Sequence, residues 1–192
     1  MSMLCTVYRI SVEQAAKLRE SPDTVDDLLG YKLPTPKAGI LTKIFGERTR
    51  STESPERSVD PITSADTFEL DQAWHILHFL FSGGPAEGDW PAAFLVCGGE
   101  HIGPDHGYGP VRLLAPDLAG EVARFLGTRS LQSLEDAYVP DRIDAAGIYW
   151  QASTQPELRE QQVYELWSVV EGLRTFFEQT SGRGGAVLIS IF

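Results

Sequence analysis

The segment Leu70–Gly83, LDQAWHILHFLFSG, constrains the fold more than any other stretch of the chain. At about 100° per residue, its apolar side chains gather on one side of a helix and its polar side chains form a narrow stripe on the other. Asp66 or Thr67 is a suitable cap before it, and Gly83-Gly84-Pro85 is typical of a helix end. The sequence therefore predicts a central helix whose apolar side belongs to the core.

The chain of 192 residues is long enough to bury roughly 70% of its unfolded surface, so we expect one domain over residues 1–192. Cys5 and Cys97 lie in apolar surroundings without a neighbouring thiol, which indicates buried, reduced side chains. No apolar run approaches the ~20 residues of a membrane span, and the first ten residues lack the regions of a signal peptide. We expect a cytoplasmic protein without membrane contact.

The net charge of −11 is distributed unevenly along the chain. Residues 1–65 hold 9 basic and 9 acidic side chains, whereas residues 66–192 hold 7 basic and 18 acidic ones. Nucleic acid is excluded as a partner class, because its binding needs a basic surface that replaces phosphate counterions. The negative field favours a basic protein or a cation as a partner. The alternative is that the acidic residues provide only solubility.

The remaining patterns predict an α+β fold. Leu4–Ile10 has the composition of a strand, and Ser11-Val12-Glu13-Gln14 is a capping box that opens a helix to about Glu20. A long apolar stripe marks a helix from Leu158 to Gln179, and Ala186–Phe192 is apolar throughout, as a central strand is. We expect a single compact domain in which a small mixed β-sheet packs against two long and several short helices.

The stretch from residue 34 to residue 65 breaks this order with Pro, Gly, Ser, Thr and alternating charges. It contains one small apolar island at residues 40–45, which could dock as a helical turn. Residues 48–58 have the composition of a mobile segment. We therefore predict a mobile loop around residues 34–65 within the single domain.

Several motifs together resemble a known family. They are LDQAWHILHFLFSG, then GGEHIGPDHGYGPVRLLAP, then GIYW, a long helix and a final AVLISIF. In this order, over essentially the whole chain, they resemble the YfbM-like family of bacterial proteins, a domain-of-unknown-function family. The resemblance implies a single compact α+β domain. It implies no reaction, cofactor or catalytic residue.

The polar stripe of the central helix and the glycine-rich segment Gly98–Pro110 together form the sharpest chemical hypothesis. Imidazole and carboxylate groups are the ligands that zinc, iron or manganese accept, and histidines at i,i+3 share a helix face. The metalloprotease pattern of two histidines at i,i+4 with an intervening Glu is absent. The candidates are Asp71, His75 and His78 for acid–base work, His75, His78 and His106 for a metal, and Glu100, His101, Asp105, Tyr108 and Arg112 for a ligand.

A structural interpretation of the same residues is favoured. The rings of His75 and His78 would then be hydrogen-bonded to glycine-rich backbone, and Arg112 would pair with Glu100 or Asp105 to hold the shape of the segment. Ser82 lacks the Gly-x-Ser-x-Gly elbow of an acyl-transfer enzyme, and no cofactor motif is present.

Two functions remain open from the sequence. The first is a non-catalytic binding or interaction module with an acidic surface, of which an immunity-type inhibitor of a basic toxin enzyme is one concrete form. The alternative is a hydrolase, metal-dependent or based on His and Asp, that uses the His75/His78 helix face and the Gly98–Pro110 segment.

Overall fold

The computed structural model describes residues 3–30, 62–105 and 107–192. Most of the predicted mobile loop, including residues 48–58 and the apolar island at residues 40–45, lies outside these ranges. His106 lies outside them as well. Where the described chain resumes, Ser64–Asp66 forms a 3₁₀-helical turn.

Five strands form one sheet in the order β2-β1-β5-β4-β3. Every pairing in it is antiparallel, so the sheet is antiparallel where we expected a mixed one. An apolar run such as that of the last strand indicates burial on both faces of a sheet, but it does not indicate the direction of the strands. For this reason the sequence did not distinguish a mixed sheet from an antiparallel one. The strands are β1 (Cys5–Ile10), β2 (Thr67–Asp71), β3 (Glu100–Asp105), β4 (Pro110–Leu114) and β5 (Ala186–Ile191).

Helices cover both faces of this sheet. They are α1 (Val12–Glu20), α2 (Val25–Leu29), α3 (Ala73–Ser82), α4 (Pro116–Gly127), α5 (Leu131–Ala137), α6 (Pro140–Ala145) and α7 (Pro156–Gly182). None of the helices in the described ranges is long and apolar enough to cross a bilayer. The α+β class is confirmed.

The central strand β5 explains how one sheet holds two core clusters. It pairs with β1 on one side and with β4 on the other, as its apolar sequence predicts. Val187 and Ile189 face the larger cluster, which includes α3 to α7, whereas Ala186 and Leu188 face the smaller cluster with α1 and α2. Since successive side chains of a strand point to opposite faces, an unbroken apolar run suits a sheet that is buried on both sides.

The beginning of the chain folds as its sequence predicts. Strand β1 is followed by a capping box in which the Ser11 hydroxyl accepts from the backbone N–H of Gln14 and the Gln14 side chain accepts from the backbone N–H of Ser11. The predicted helix from Leu158 to Gln179 lies within α7, which begins two residues earlier and ends three residues later, and most of its apolar stripe is buried.

The central helix begins later than predicted. Residues 67–71 form strand β2, which pairs with β1, and α3 begins only at Ala73. At the junction Asp71 has a φ of 46°, a left-handed conformation that Asp tolerates better than most residues. Long-range pairing with β1 therefore overrides the helical spacing of Leu70 and Asp71, and the expected helix cap at Asp66 or Thr67 is wrong.

The segment Gly98–Pro110 is also more regular than its composition predicts. Residues 100–105 form strand β3, which pairs with β4 through a register irregularity between Ile102 and Asp105. At this irregularity Gly103 has a φ of 75° and lies against the 3₁₀ turn Pro22–Thr24 and the first residue of α2, Val25. A side chain at Gly103 would meet both the strain of the left-handed region and the packed turn.

We predict that Gly103→Ala lowers the free energy of unfolding by about 3 kcal/mol, because an added Cβ requires a strained backbone and overlaps Val25. Gly127→Ala is the matched control, since Gly127 lies in helix α4 with nothing within 4 Å of the added atom. It is expected to be neutral or stabilising by up to about 1 kcal/mol. Urea denaturation of both variants tests this, and equal effects would contradict the close packing of the hairpin on α2.

Candidate functional site

His75 is buried on α3, and both of its ring nitrogens are hydrogen-bonded to backbone. Its Nε2 lies 2.9 Å from the carbonyl oxygen of Pro85, and the backbone N–H of Tyr149 lies 3.2 Å from its Nδ1. A neutral ring that donates from Nε2 and accepts at Nδ1 satisfies both contacts. Burial lowers the pKa of His75 and keeps the ring neutral. No lone pair or proton of this ring is left for a metal or a substrate.

His78 lies one turn further along α3 and is fully buried. Its Nε2 lies 3.4 Å from the hydroxyl of Ser82, and its Nδ1 has no hydrogen-bond partner among the described residues. Burial lowers the pKa of His78 to about 4, with further contributions from His75 and from the positive charge of Arg112. The ring is therefore neutral at physiological pH and has no access to solvent.

Asp71 does not join these histidines as the helical spacing predicted. It ends strand β2 and its side chain is exposed, so it is not on the helix that carries His75 and His78. Asp71 and His75 are four residues apart in the sequence, but they share no helix face because they belong to different elements. The three acid–base candidates therefore do not form a common site.

Arg112 on β4 is only 7% exposed and is buried in the core. Its Nη1 donates to the carbonyl oxygens of Phe94 at 3.0 Å, Cys97 at 2.7 Å and Gly98 at 3.2 Å, and its Nη2 donates to the carbonyl of Leu95. The guanidinium thus binds the turn that precedes β3. The expected pairing of Arg112 with Glu100 or Asp105 is wrong, because backbone carbonyl oxygens accept its hydrogen bonds in place of a carboxylate.

The two cysteines lie in the electrostatic range of Arg112. Burial raises the pKa of Cys5 to about 12, against the opposing effect of the nearby arginine. Burial likewise raises the pKa of Cys97. Both thiols are free of disulfide bonds, as expected from the sequence, and stay protonated, but only Cys5 is buried as expected and Cys97 is half-buried. A reactive cysteine would need a lowered pKa, so neither has the properties of a nucleophile.

The other candidates of the Gly98–Pro110 segment lie apart on its surface. Glu100 forms an exposed ion pair with Arg19, with 2.7 Å between Oε2 and Nε. Asp105 accepts at Oδ1 from the backbone N–H groups of Gly107 and Gly109, which shapes the turn of the hairpin. His101 and Tyr108 are exposed. Among the described residues, no group of three or more His, Cys, Asp or Glu side chains is arranged to hold a metal ion.

The structure instead presents a groove between α5 and the start of α7 that motif analysis did not identify. The acidic groove, with a volume of about 480 Å³, is lined by Gln132, Glu135, Asp136, Pro156, Arg159, Glu160 and Val163. The only sequence signal for it was the acidic excess after residue 65, which does not say which carboxylates meet.

The single arginine of the acidic groove does not neutralise it. Arg159 donates from Nη2 to the carbonyl oxygens of Glu135 at 3.1 Å and Tyr138 at 3.2 Å. In the described part of the chain, the carboxylates of Glu135, Asp136 and Glu160 form no ion pair. Among the described residues, three carboxylates therefore face the groove without an ion pair, and Arg159 is the one cation in its lining.

A hydrogen-bonded network links the elements that form the acidic groove. The hydroxyl of Tyr138 donates to Gln162 Oε1 at 2.6 Å and accepts from Trp150 Nε1 at 3.0 Å. The backbone N–H of Ser153 donates to the same Gln162 oxygen at 2.9 Å. These bonds join the end of α5, the chain before α7 and α7 itself, so the positions of the groove carboxylates are set by a rigid support.

We predict that Arg112→Met lowers the free energy of unfolding by about 3 kcal/mol or more, because buried carbonyls lose their donors. Arg112→Lys should be intermediate, since an ammonium has fewer donors and lacks the planar fork. Arg124→Met on the exposed side of α4 is the control and should change stability by less than about 0.5 kcal/mol. Chemical denaturation measures all three, and an Arg112→Met variant as stable as the parent would contradict the structural role.

We also predict a loss of stability in acid that depends on His78. An unfolded histidine has a pKa of about 6.5, so below that pH the unfolded chain binds a proton at His78 and the folded chain does not. The free energy of unfolding therefore falls as the pH decreases. The loss from His78 reaches roughly 3 kcal/mol near pH 4, and His75 acts in the same direction.

Urea denaturation between about pH 7 and pH 4 should therefore give a shallower pH dependence for His78→Gln than for the parent protein. His101→Gln, at an exposed position, serves as the control and should leave the slope unchanged. Identical slopes for His78→Gln and the parent would show that His78 is accessible and titrates normally when folded.

Comparisons with known proteins agree with the fold. The family model described as a domain of unknown function, DUF1877, matches residues 1–190. The crystal structure of YfbM from Escherichia coli, a protein of unknown function, is similar with a TM-score of 0.67. The two sequences are 18% identical, and the match covers 98% of this chain and 99% of YfbM, so it bears on the fold alone. None of the curated proteins matches the chain. The resemblance to the YfbM-like family is confirmed.

Proposed function

We propose that this chain, which belongs to the DUF1877 family, is a cytoplasmic, non-catalytic binding module whose acidic groove receives a basic segment of a protein partner. One observation carries the proposal. Glu135, Asp136 and Glu160 line the groove without an ion-pair partner among the described residues, while the local arginine binds backbone carbonyls. Such a concave surface of one charge favours encounter with an oppositely charged partner.

Exposed apolar side chains are close in the sequence to the residues that line the acidic groove. Leu158, on the exposed side of α7, is 47% exposed, and Val139 at the end of α5 is exposed too. Interfaces combine an apolar centre with a polar rim, and a basic segment that carries apolar residues fits this combination. The rigid support under the groove also favours binding, since a preorganised surface loses little entropy on association.

An immunity-type inhibitor is a concrete form of this function. In that form the acidic groove covers the basic surface with which a toxin enzyme holds its substrate. The charge contrast would speed association, and the carboxylates would replace the anionic substrate in contacts with basic side chains. The inhibitor needs no catalytic group of its own for this task.

The hydrolase alternative has less support from the geometry. His75 uses both ring nitrogens in backbone hydrogen bonds, and His78 is fully buried with a lowered pKa. A general base must reach the substrate proton within hydrogen-bond distance or through one water. Neither ring meets this requirement in the described structure, and the described candidates of the Gly98–Pro110 segment do not form a common site.

The proposal is tested by reversing the charge of the acidic groove. The variant Asp136→Lys/Glu160→Lys carries two exposed changes in the groove, and Glu171→Lys/Glu178→Lys carries two exposed changes elsewhere on α7 as the matched control. Both variants alter the net charge equally. Immobilised proteins are exposed to host extract at low salt, and a captured partner is then purified and titrated by calorimetry.

We expect the groove variant to bind the purified partner at least about tenfold more weakly, while the control changes binding much less. Binding to the parent protein should also weaken between about 50 mM and 300 mM salt, because screening reduces attraction between exposed charges. If both variants bound the partner equally weakly, the net charge of the protein and not the groove would account for the binding. No partner at low ionic strength, or binding that is insensitive to the groove variant, would contradict the proposal.

A further inference from the structure

A second cavity lies at the opposite end of α7, where β1 ends and β5 begins. It has a volume of about 300 Å³ and is lined by Arg9, Ile10, Ser11, Gln14, Ile62, Asp66, Arg183 and Gly185. Two arginines and one aspartate contribute its charged groups. In a chain whose net charge is −11, this cavity is a local concentration of positive charge.

Arg9 is held firmly but has unused donors. Its side chain is only 11% exposed. Its Nε donates to the hydroxyl of Thr180 at 2.9 Å, its Nη2 donates to Gln179 Oε1 at 3.3 Å, and its guanidinium lies 5.0 Å from the ring centre of Phe176. The third nitrogen, Nη1, lies 3.8 Å from Asp66 Oδ1, which is too far for a hydrogen bond. In the described part of the chain, Nη1 therefore has a loose ion pair and no acceptor.

Asp66 is prevented from closing this gap by its own contact. Its other carboxylate oxygen, Oδ2, accepts from the hydroxyl of Thr63 at 2.8 Å. This bond holds the carboxylate at the start of β2, and the contact between Asp66 and the Arg9 guanidinium therefore stays long. It compensates only part of the positive charge around it.

Arg183 adds the second cation from the end of α7. Its side chain is exposed and makes no hydrogen bond or ion pair with the other described residues. Arg183 lines the same cavity as Arg9. Burial, and next the charge of Arg183, lower the pKa of Arg9. Two cations face one carboxylate, so the cavity has an excess of one positive charge among these groups.

The N-terminus of α1 adds little to this charge. The side chains of Ser11 and Gln14 are already engaged in the capping box with each other's backbone N–H groups. Recognition of a ligand therefore depends on the arginines. Ile10 and Ile62 supply an apolar wall, which a bare inorganic ion would not use.

We propose that this cavity binds a small organic oxyanion, a carboxylate or phosphate group on a short apolar stem. One oxygen accepts from Arg9 Nη1, another accepts from the Arg183 guanidinium, and the stem packs against the isoleucines. Charge-assisted bonds from arginine to carboxylate or phosphate are among the strongest hydrogen bonds in proteins. The ligand supplies the second negative charge that the cavity lacks, and Asp66 competes with it for Arg9.

The competition gives the proposal two opposite predictions. Arg183→Gln removes one anchor and is expected to weaken oxyanion binding at least about tenfold. Asp66→Asn removes the competing carboxylate and is expected to strengthen binding severalfold. Arg124→Gln removes an exposed arginine from α4 and is the matched control, with unchanged binding. Circular dichroism verifies that each variant is folded.

The probes are butyrate, its neutral isostere butyramide, and inorganic phosphate, each titrated at constant ionic strength and followed by NMR at the Gly185 amide and the arginine Nε–H groups. We expect saturable shifts with butyrate and phosphate and none with butyramide. Tighter binding of butyrate indicates a carboxylate ligand with an apolar stem, and tighter binding of phosphate indicates a phosphoryl ligand. No saturable binding to the parent protein and to Asp66→Asn, or an Arg183→Gln variant that binds as the parent does, overturns the proposal.

Discussion

The packing between the sheet and α3 depends on the hydrogen bonds of the buried Arg112 guanidinium. A cation inside an apolar core costs several kcal/mol unless its donors are satisfied. The carbonyls of residues 94, 95, 97 and 98 satisfy them, so the turn that carries them must keep all four directed at one point. This fixes Phe94 between Phe81 and Phe177, whose ring centres lie 6.4 Å and 5.5 Å away. A polar contact thereby determines how the aromatic core is packed.

The same cation explains why the neighbouring ionisable groups are structural. A fixed positive charge in the core opposes protonation of His78 and adds to the effect of burial. Burial likewise lowers the pKa of His75, and its two ring nitrogens join Pro85 and Tyr149 to α3. The helix is covered on the side that a helical wheel assigns to solvent. His75 therefore holds the chain after α3 and the chain before α7 in place, which is a packing role.

Local sequence signals predicted the fold where local interactions decide the structure. The capping box of α1 and the unbroken apolar run of β5 depend on neighbouring residues and on burial, and both were predictable. The boundary between β2 and α3 was not, since pairing with β1 is a long-range interaction that helical periodicity cannot report. The glycines of residues 98–110 indicated a loop, but pairing with β4 makes residues 100–105 a strand. Among the site candidates, only the residue types were predictable, because the backbone partners of His75 and Arg112 come from distant parts of the chain.

The two charged surfaces could not have been located from the sequence for the same reason. The acidic groove combines α5 with α7, and the cationic cavity combines Arg9 from the first strand with Arg183 near the end of the chain. At a rise of about 1.5 Å per residue, the helix α7 separates Val163 in the groove from Arg183 in the cavity by about 30 Å. This exceeds the screening length of about 8 Å at physiological salt, so the carboxylates of the groove do not cancel the local field of the arginines. The proposed basic partner of the groove and the proposed oxyanion of the cavity are therefore expected to bind independently.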